Sequence, residues 1–231
     1  MRKISFHINK SFDKFIAEQF LNERGGGIDF GKNIVKMHPS LRTARTSPKL
    51  RKDVINNYFD KYYTNHKKEI IENTRTIKNG WKRVEQEYIK ATEKIFGGYH
   101  FPKGTYAAYA SIINCNPRFL DSKTFQFFYK KKVGDAIHTI AHELLHFIFF
   151  DFVEKKMTNE IKKLSANKLW DLSEIFNVVI LRSAAYKKII NGKYVKPYPN
   201  HEKYIRTFER SYKNSKNIES FIRDGIKILN R

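Results

Sequence analysis

Apolar residues recur every three or four positions along extended parts of this chain, and that spacing is the period of an α-helix. The clearest segment follows Gly134-Asp135, where apolar residues recur from Ile137 to Ile148. Asp135 is a favourable N-cap, so we expect the helix to begin there. Because most sides of this segment are apolar, the pattern predicts a helix that is buried in the protein.

The same reasoning predicts the remaining elements. Helices are expected at residues 11–23, 49–63, 67–96 (with a possible break near Asn79-Gly80), 166–190, 201–213 and 217–229. Strands are expected at residues 4–8, 105–113 and 124–129, and the basic, proline-containing residues 32–48 indicate an irregular loop. We therefore expect an α+β protein, mostly helical, with a small sheet beside the buried helix. The organisation we expect is an N-terminal, mostly helical region of residues 1–62 and a core of residues 63–231.

Composition narrows the class of protein. At 231 residues the chain can bury a sizeable core, and its 41% hydrophobic and 15% aromatic shares exclude general disorder. A single cysteine, Cys115, excludes an intramolecular disulfide. No run of about 18 apolar residues is present, so no membrane span is expected. The first ten residues lack the continuous apolar core of a secretory signal, so a cytoplasmic location is expected.

The buried helix carries the sharpest chemical signal in the sequence, the HExxH motif His142-Glu143-Leu144-Leu145-His146. On a helix the two histidines lie one turn apart on one face, so both imidazoles could bind one Zn²⁺ while Glu143 holds the attacking water. Two imidazoles on an apolar helix need polar partners, and one metal ion would serve both. The competing interpretation is a pair of hydrogen-bonded core histidines, with Glu143 in an ion pair.

His138 continues the same helical stripe one turn earlier. His138 and His146 are about 12 Å apart along a helix that rises 1.5 Å per residue, too far to share one ion. His138 could pair with His142 instead, but no glutamate follows His138. We therefore interpret it as a residue that contacts a ligand or simply packs.

The motif, its helix and its surroundings, from about Gly104 to Phe176, resemble the zincin metallopeptidases. The resemblance implies a zincin-like fold and a zinc-dependent peptidase with one Zn²⁺ per chain, in which Glu143 is the general base and His142 and His146 are ligands. The residues after His146 lack the glycine and histidine of the metzincin branch. The gluzincin branch instead takes a glutamate from a following helix. The chain also lacks the glycine-methionine-glutamate-asparagine motif of aminopeptidases, so an endopeptidase is favoured.

Glu174 is the third ligand expected from this resemblance. It lies in the predicted helix 166–190 between apolar neighbours, where a carboxylate is costly to bury without a cation. The competing interpretation is an exposed helix residue. Asp171 is the fallback ligand, or an acceptor for the N–H of a ligand histidine. Val178 stands where thermolysin-like enzymes often have an aspartate, so that contact is either absent here or supplied by Asn177 or Asp171.

Zincins pair the extended backbone of their substrate with an exposed edge strand that precedes the active-site helix. The resemblance assigns that part to one of the strands 105–113 and 124–129. In the first of these strands, Tyr106, Ala108 and Ala110 are the candidate positions.

Thermolysin-like enzymes also use a downstream histidine or tyrosine to stabilise the oxyanion. Tyr194, Tyr198 and His201 lie in the proline-containing segment after the glutamate helix. Loops carry catalytic groups more often than other segments do, and we select His201 as the catalytic candidate.

The net charge of +22 raises nucleic-acid binding as an option. The lysines are spread through the whole chain, so a general bias in composition also explains the charge. Three alternatives follow, of which one is a zincin that binds metal but has lost activity. Another is a DNA-associated zinc protease resembling the SprT-like family, with a histidine as third ligand. The third is a basic nucleic-acid-binding protein with a non-catalytic HExxH. The partners we expect are a peptide or protein substrate and, at low salt, weakly and non-specifically bound nucleic acid.

Overall fold

The computed structural model describes residues 4–190 and 195–230. The α-helices of this described part are α1 (Lys10–Phe20), α2 (Phe30–Met37), α3 (Arg42–Thr46), α4 (Arg51–Asn65), α5 (Lys67–Ile95), α6 (Val133–Lys156), α7 (Thr158–Ile161), α8 (Ala166–Leu181), α9 (Glu202–Asn214) and α10 (Ile218–Leu229). The strands are β1 (Ser5–Ile8), β2 (Arg24–Gly25), β3 (Ile28–Asp29), β4 (Ala107–Ser111), β5 (Arg118–Phe119) and β6 (Thr124–Phe128). The protein is therefore of the α+β class, mostly helical with a small sheet.

The chain divides into two compact units. Within the described residues, the sheet unit comprises residues 4–80 and 105–136, and the helical unit comprises residues 81–104, 137–190 and 195–230. Both boundaries inside regular structure fall within long helices, α5 and α6. The predicted division near residue 62 stays a prediction.

The sheet unit is built on four strands in the order β1-β4-β6-β5. β1, β4 and β6 are parallel, and β5 runs antiparallel to β6. Side chains on both faces of β4 are buried, as is usual for a parallel strand covered on two sides. The strands predicted at residues 4–8, 105–113 and 124–129 are thus confirmed, each within a few residues.

The position of β4 corrects one expectation. Ala108 pairs with Phe6 of β1 on one side and with Phe125 of β6 on the other, and Ala110 likewise has a partner on each side. Just before β4, the carbonyl of Tyr106 accepts a hydrogen bond from the Ser5 amide at 3.0 Å. The backbone of an interior strand has no free edge. The interpretation of Tyr106, Ala108 and Ala110 as positions that pair with substrate is therefore wrong.

Residues 30–46 correct a second expectation, because the predicted irregular loop contains two helices, α2 and α3. Asp29 caps α2 by accepting a hydrogen bond from the Lys32 amide at 2.7 Å. Before it, Gly26 and Gly27 form the turn of the small β2-β3 hairpin, and both have positive φ angles, 59° and 87°. That turn geometry strongly favours glycine, which carries no Cβ.

The remaining helices follow the sequence pattern with shifted ends. α5 is continuous through Asn79 and Gly80, so the possible break is absent. α6 begins at Val133, which places Asp135 in its first turn rather than at its N-cap. α8 ends at Leu181, nine residues before the predicted end at residue 190. Its N-cap is Ser165, whose hydroxyl accepts from the Lys168 amide at 3.3 Å.

Aromatic side chains form the core of the helical unit. Phe176 of α8 lies at its centre, with ring centroids 4.8 Å from Phe149 of α6, 5.8 Å from Phe96 and 5.5 Å from Phe221 of α10. Such pairs add to the stabilisation that burial of their area provides. They pack α6 and α8 against each other, and these are the two helices that carry the predicted ligands.

By length and composition alone, α6 is the one helix of the described residues that could cross a membrane. Within its most apolar 18-residue stretch, however, 78% is buried inside the protein. The apolar surface of α6 is therefore covered mainly by the rest of the chain.

Candidate metal centre

α6 and α8 bring three polar side chains together inside the helical unit. His142 and His146 lie one turn apart on α6, and their Nε2 atoms are 3.1 Å from each other. Glu174 of α8 presents one carboxylate oxygen to each histidine: Oε2 is 3.0 Å from His142 Nε2, and Oε1 is 3.3 Å from His146 Nε2. Among the described residues, these three side chains form a group that could hold a metal ion.

The group is almost fully enclosed. His146 has no exposed area, and Glu174 is 2% exposed. The side chain of His142 keeps 17% of its area exposed, so solvent reaches the group from that side. The interpretation of Glu174 as an exposed helix residue is therefore wrong.

The electrostatics of Glu174 follow from this burial. Burial by itself raises the pKa of the Glu174 carboxyl, because it removes the charged form from water. The nearby His146 and His142 oppose that effect by charge and by hydrogen bonding, and the pKa falls well below its usual value. Glu174 is thus held as a carboxylate, the form that binds a cation.

Glu143 follows His142 on α6 and is 5% exposed. It does not belong to the group of three. One position away from a ligand candidate, its carboxyl lies on a neighbouring side of α6, about 100° around the helix. Glu143 is thus a second buried carboxyl on the helix that carries the two histidines.

Two hydrogen bonds from other helices reach the backbone of α6, at His142 and at Ala141, the residue just before the motif. Asn177 of α8 donates through Nδ2 to the His142 carbonyl at 3.1 Å. Tyr88 of α5 donates through its hydroxyl to the Ala141 carbonyl at 2.8 Å. The sequence indicated Asn177 as a residue that supports the ligands, but it indicated Tyr88 only as part of the apolar side of α5. Nothing local in the sequence shows where the Tyr88 hydroxyl points.

Asp171 and His201 form a separate pair, with Oδ1 and Nε2 2.7 Å apart. Asp171 is therefore engaged with His201 and lies outside the group of three. His201 is 2% exposed, and its ring lies 5.3 Å from Trp170 and 5.5 Å from Tyr198 between centroids. Tyr194, the remaining oxyanion candidate, lies outside the described residues.

The other residues of the helical stripe flank the histidines. The ring centroid of His138 lies 6.4 Å from that of His142, and His138 is outside the group of three. One turn after His146, the Phe150 ring lies nearly parallel to the imidazole, with centroids 6.1 Å apart. Phe150 was not among the predicted site residues, although its spacing of four from His146 is the signal that places the two rings together.

Comparisons with protein-family models, with curated proteins and with solved structures find no match to this chain. The function is therefore inferred from the geometry of the site.

Proposed function

We propose that this protein is a zinc-dependent metallopeptidase of the zincin type, gluzincin-like, with His142, His146 and Glu174 as the ligands of one Zn²⁺. The observation that carries the proposal is the close approach of the two Nε2 atoms and the carboxylate. Two histidines and a glutamate are the ligand set of one known type of catalytic zinc site.

The separations support one shared ion. His142 Nε2 lies 3.1 Å from His146 Nε2 and 3.0 Å from Glu174 Oε2, while His146 Nε2 lies 3.3 Å from the other carboxylate oxygen, Oε1. With one ligand atom from each residue, the three atoms lie within 4.8 Å of one another. Catalytic zinc sites are held by three protein side chains, and these three residues would hold the ion here. When bound, the zinc would polarise the substrate carbonyl and lower the pKa of a bound water towards neutrality.

The residues of the chain supply the proton transfers. Glu143 takes the proton from the water as it attacks the peptide carbonyl, and then returns that proton to the leaving amine. Its burial beside His142 excludes bulk water from the carboxyl, which strengthens its interaction with the reacting groups. His201 is the proposed donor to the oxyanion. Because its Nε2 is engaged by Asp171, the donor would be the buried Nδ1, which has no hydrogen-bond partner among the described residues.

The group of His142, His146 and Glu174 also distinguishes this proposal from the alternatives that involve nucleic acid. A SprT-like site would use a third histidine, whereas the group found among the described residues contains Glu174. The nucleic-acid-binding alternative makes no use of a buried site with two histidines and a glutamate. It remains testable through the salt dependence of DNA binding.

A digest of blocked peptides tests the proposal. The zinc-loaded protein is incubated with a library of N-acetylated, C-amidated peptides, and the products are identified by mass spectrometry. We expect internal cleavage by the wild type and none by Glu143→Gln, which keeps the shape of the side chain but cannot accept the proton. Equal cleavage by both proteins would indicate a contaminating peptidase. Absence of cleavage by a zinc-loaded wild type on a diverse library would contradict the endopeptidase proposal.

A further inference from the structure

The hydrogen bonds from Asn177 and Tyr88 arrive at two consecutive carbonyls, those of His142 and Ala141. Inside an α-helix each carbonyl already accepts the amide four residues later. Asn177 and Tyr88 therefore each donate a second hydrogen bond to a carbonyl that already has a partner within the helix. Since the backbone of α6 does not need them, their effect is to fix where this turn of α6 lies relative to α8 and α5.

α8 holds His142 at two points. Asn177 and Glu174 are three residues apart and therefore share a face of α8. Asn177 binds the carbonyl of His142 at 3.1 Å, and Glu174 meets its imidazole at 3.0 Å. A rotation or a slide of α6 against α8 would disturb both contacts together, so the backbone bond restrains the position of the imidazole.

Tyr88 holds the preceding residue from a different helix. It is fully buried, and its ring centroid lies 5.2 Å from that of Trp81 and 5.6 Å from that of Tyr186. A ring packed in this way has its hydroxyl already aimed at the Ala141 carbonyl. The motif is thus restrained from two directions, by α5 and by α8.

The burial of Asn177 shows that its side chain does more than fill space in the core. It is fully buried among apolar neighbours of α8 such as Phe176 and Val178. Its Oδ1 atom accepts no hydrogen bond among the described residues. A buried amide with an unused acceptor is costly compared with an apolar side chain of the same size. The contact that the amide does make, to His142, accounts for its presence.

We propose that Asn177 and Tyr88 are positioning residues of the metal centre: their bonds to the carbonyls of His142 and Ala141 hold the two imidazoles in register with the Glu174 carboxylate. This inference rests on the metal site of the proposed function and extends it to residues that do not touch the ion. It does not depend on which substrate is cleaved.

Metal affinity measured on the full chain tests the inference. Zn²⁺ affinity is determined by competition with a chromophoric chelator, and the visible absorption of the Co²⁺-loaded protein reports the coordination geometry. The variants are Tyr88→Phe, which deletes one hydroxyl, and Asn177→Leu, which replaces the amide by an apolar group of similar size. The matched control is Tyr186→Phe, which removes another buried hydroxyl of the helical unit, one bonded to Thr92 at 2.6 Å rather than to α6.

Loss of a residue that hydrogen-bonds to a metal ligand without touching the ion typically lowers metal affinity by about 10–100-fold. We expect Tyr88→Phe and Asn177→Leu each to weaken Zn²⁺ binding by about tenfold and to shift the Co²⁺ bands. Tyr186→Phe should lower the melting temperature of the metal-free protein as much as Tyr88→Phe does, yet leave the affinity within about twofold of the wild type.

Three results would overturn the inference. The first is wild-type affinity and an unchanged Co²⁺ spectrum in both variants. The second is an equal loss of affinity in Tyr186→Phe, which would indicate general loosening of the unit. The third, no metal binding by the wild type, would overturn the proposed function as well. Metal binding that depends on Asn177 and Tyr88 in a protein that cleaves no peptide would leave this inference standing while the peptidase proposal fails.

Discussion

Protonation of the buried Asp13 carboxyl is expected to stabilise the sheet unit. The contribution of this one residue to the free energy of unfolding should therefore rise when the pH is lowered from 7 to 4. Asp13 of α1 is fully buried. Its carboxylate accepts hydrogen bonds from the Tyr63 hydroxyl at 2.8 Å, the Ser111 hydroxyl at 2.5 Å, the Ile112 amide at 2.9 Å and the Gln126 amide at 3.4 Å. Burial outweighs these bonds and raises the pKa of Asp13 from 3.8 to about 6.

The sign and size of the effect follow from linkage. Between pH 3.8 and about pH 6 the folded state binds this proton and the unfolded state does not. The free energy of unfolding therefore falls as pH rises through this window, and the full penalty is present above the folded pKa. A shift of about two pKa units corresponds to ~3 kcal/mol. The neighbouring Tyr63 and Cys115 have raised pKa values, so neither gains a charge in this range.

Asp13→Asn isolates this contribution, because an amide has the shape of the protonated acid and does not titrate. The Ser111 hydroxyl can donate instead to the Ile113 carbonyl, 3.0 Å away, and accept from the new amide. Urea unfolding of both proteins is followed by far-UV circular dichroism from pH 4 to pH 7.5, and hydrogen exchange of residues 105–113 localises the effect. Other carboxylates titrate equally in both proteins and cancel in the difference.

We expect the stability of the wild type, relative to Asp13→Asn, to fall by ~3 kcal/mol between pH 4 and pH 7. A difference that stays constant within about 0.5 kcal/mol across this range, or one that changes in the opposite direction, would refute the reasoning. The first result would mean that the hydrogen bonds fully offset burial, and the second that they exceed it.

Three further predictions follow from other parts of the molecule. Glu143→Gln should bind zinc as the wild type does but lose at least about 100-fold in peptide hydrolysis, measured by the rate of product formation, because only the proton acceptor is removed. Gly225→Ala should destabilise the protein by about 1–3 kcal/mol in urea unfolding, because the new Cβ would lie 2.7 Å from Leu172 Cδ1 and 2.8 Å from Phe208 Cε1. The higher helix propensity of alanine offsets part of this loss. A more stable variant would show that α10 moves freely. Double-stranded DNA should bind weakly at about 50 mM salt and dissociate by about 200 mM in fluorescence anisotropy, since the charge of +22 is spread along the chain; salt-resistant binding would favour the nucleic-acid alternative.

Patterns among nearby residues predicted the elements whose structure depends mainly on their own sequence. The HExxH helix was found because its apolar period extends over many residues, and Glu174 because a carboxylate lies among apolar neighbours in a later helix. Both side chains of the pair Asp171 and His201 were also singled out, although the hydrogen bond between them could not be foreseen. The spacing of residues along a helix is set by residues close together in the chain, so it can be recognised from the sequence alone.

Features that depend on distant pairing were missed. The interior position of β4 arises because β1, about one hundred residues earlier, pairs with it. The helices α2 and α3 are basic and span only eight and five residues, so a periodic pattern has little length in which to repeat, and tertiary contacts support them. His38, which follows α2, bonds the Ile112 carbonyl at 2.8 Å and the Tyr58 hydroxyl at 2.7 Å. The bond from Tyr88 to the motif is of the same non-local kind.

Metal content of the purified, zinc-reconstituted chain tests the central claim most directly. Mass spectrometry is used to compare the wild type with His146→Ala, Glu174→Gln and Asp171→Asn; the last changes a carboxylate one turn from Glu174 that lies outside the group of three. The account predicts about one zinc per wild-type chain, retention in Asp171→Asn and loss in the other two variants. No zinc in the wild type, or full zinc content in Glu174→Gln, would contradict it.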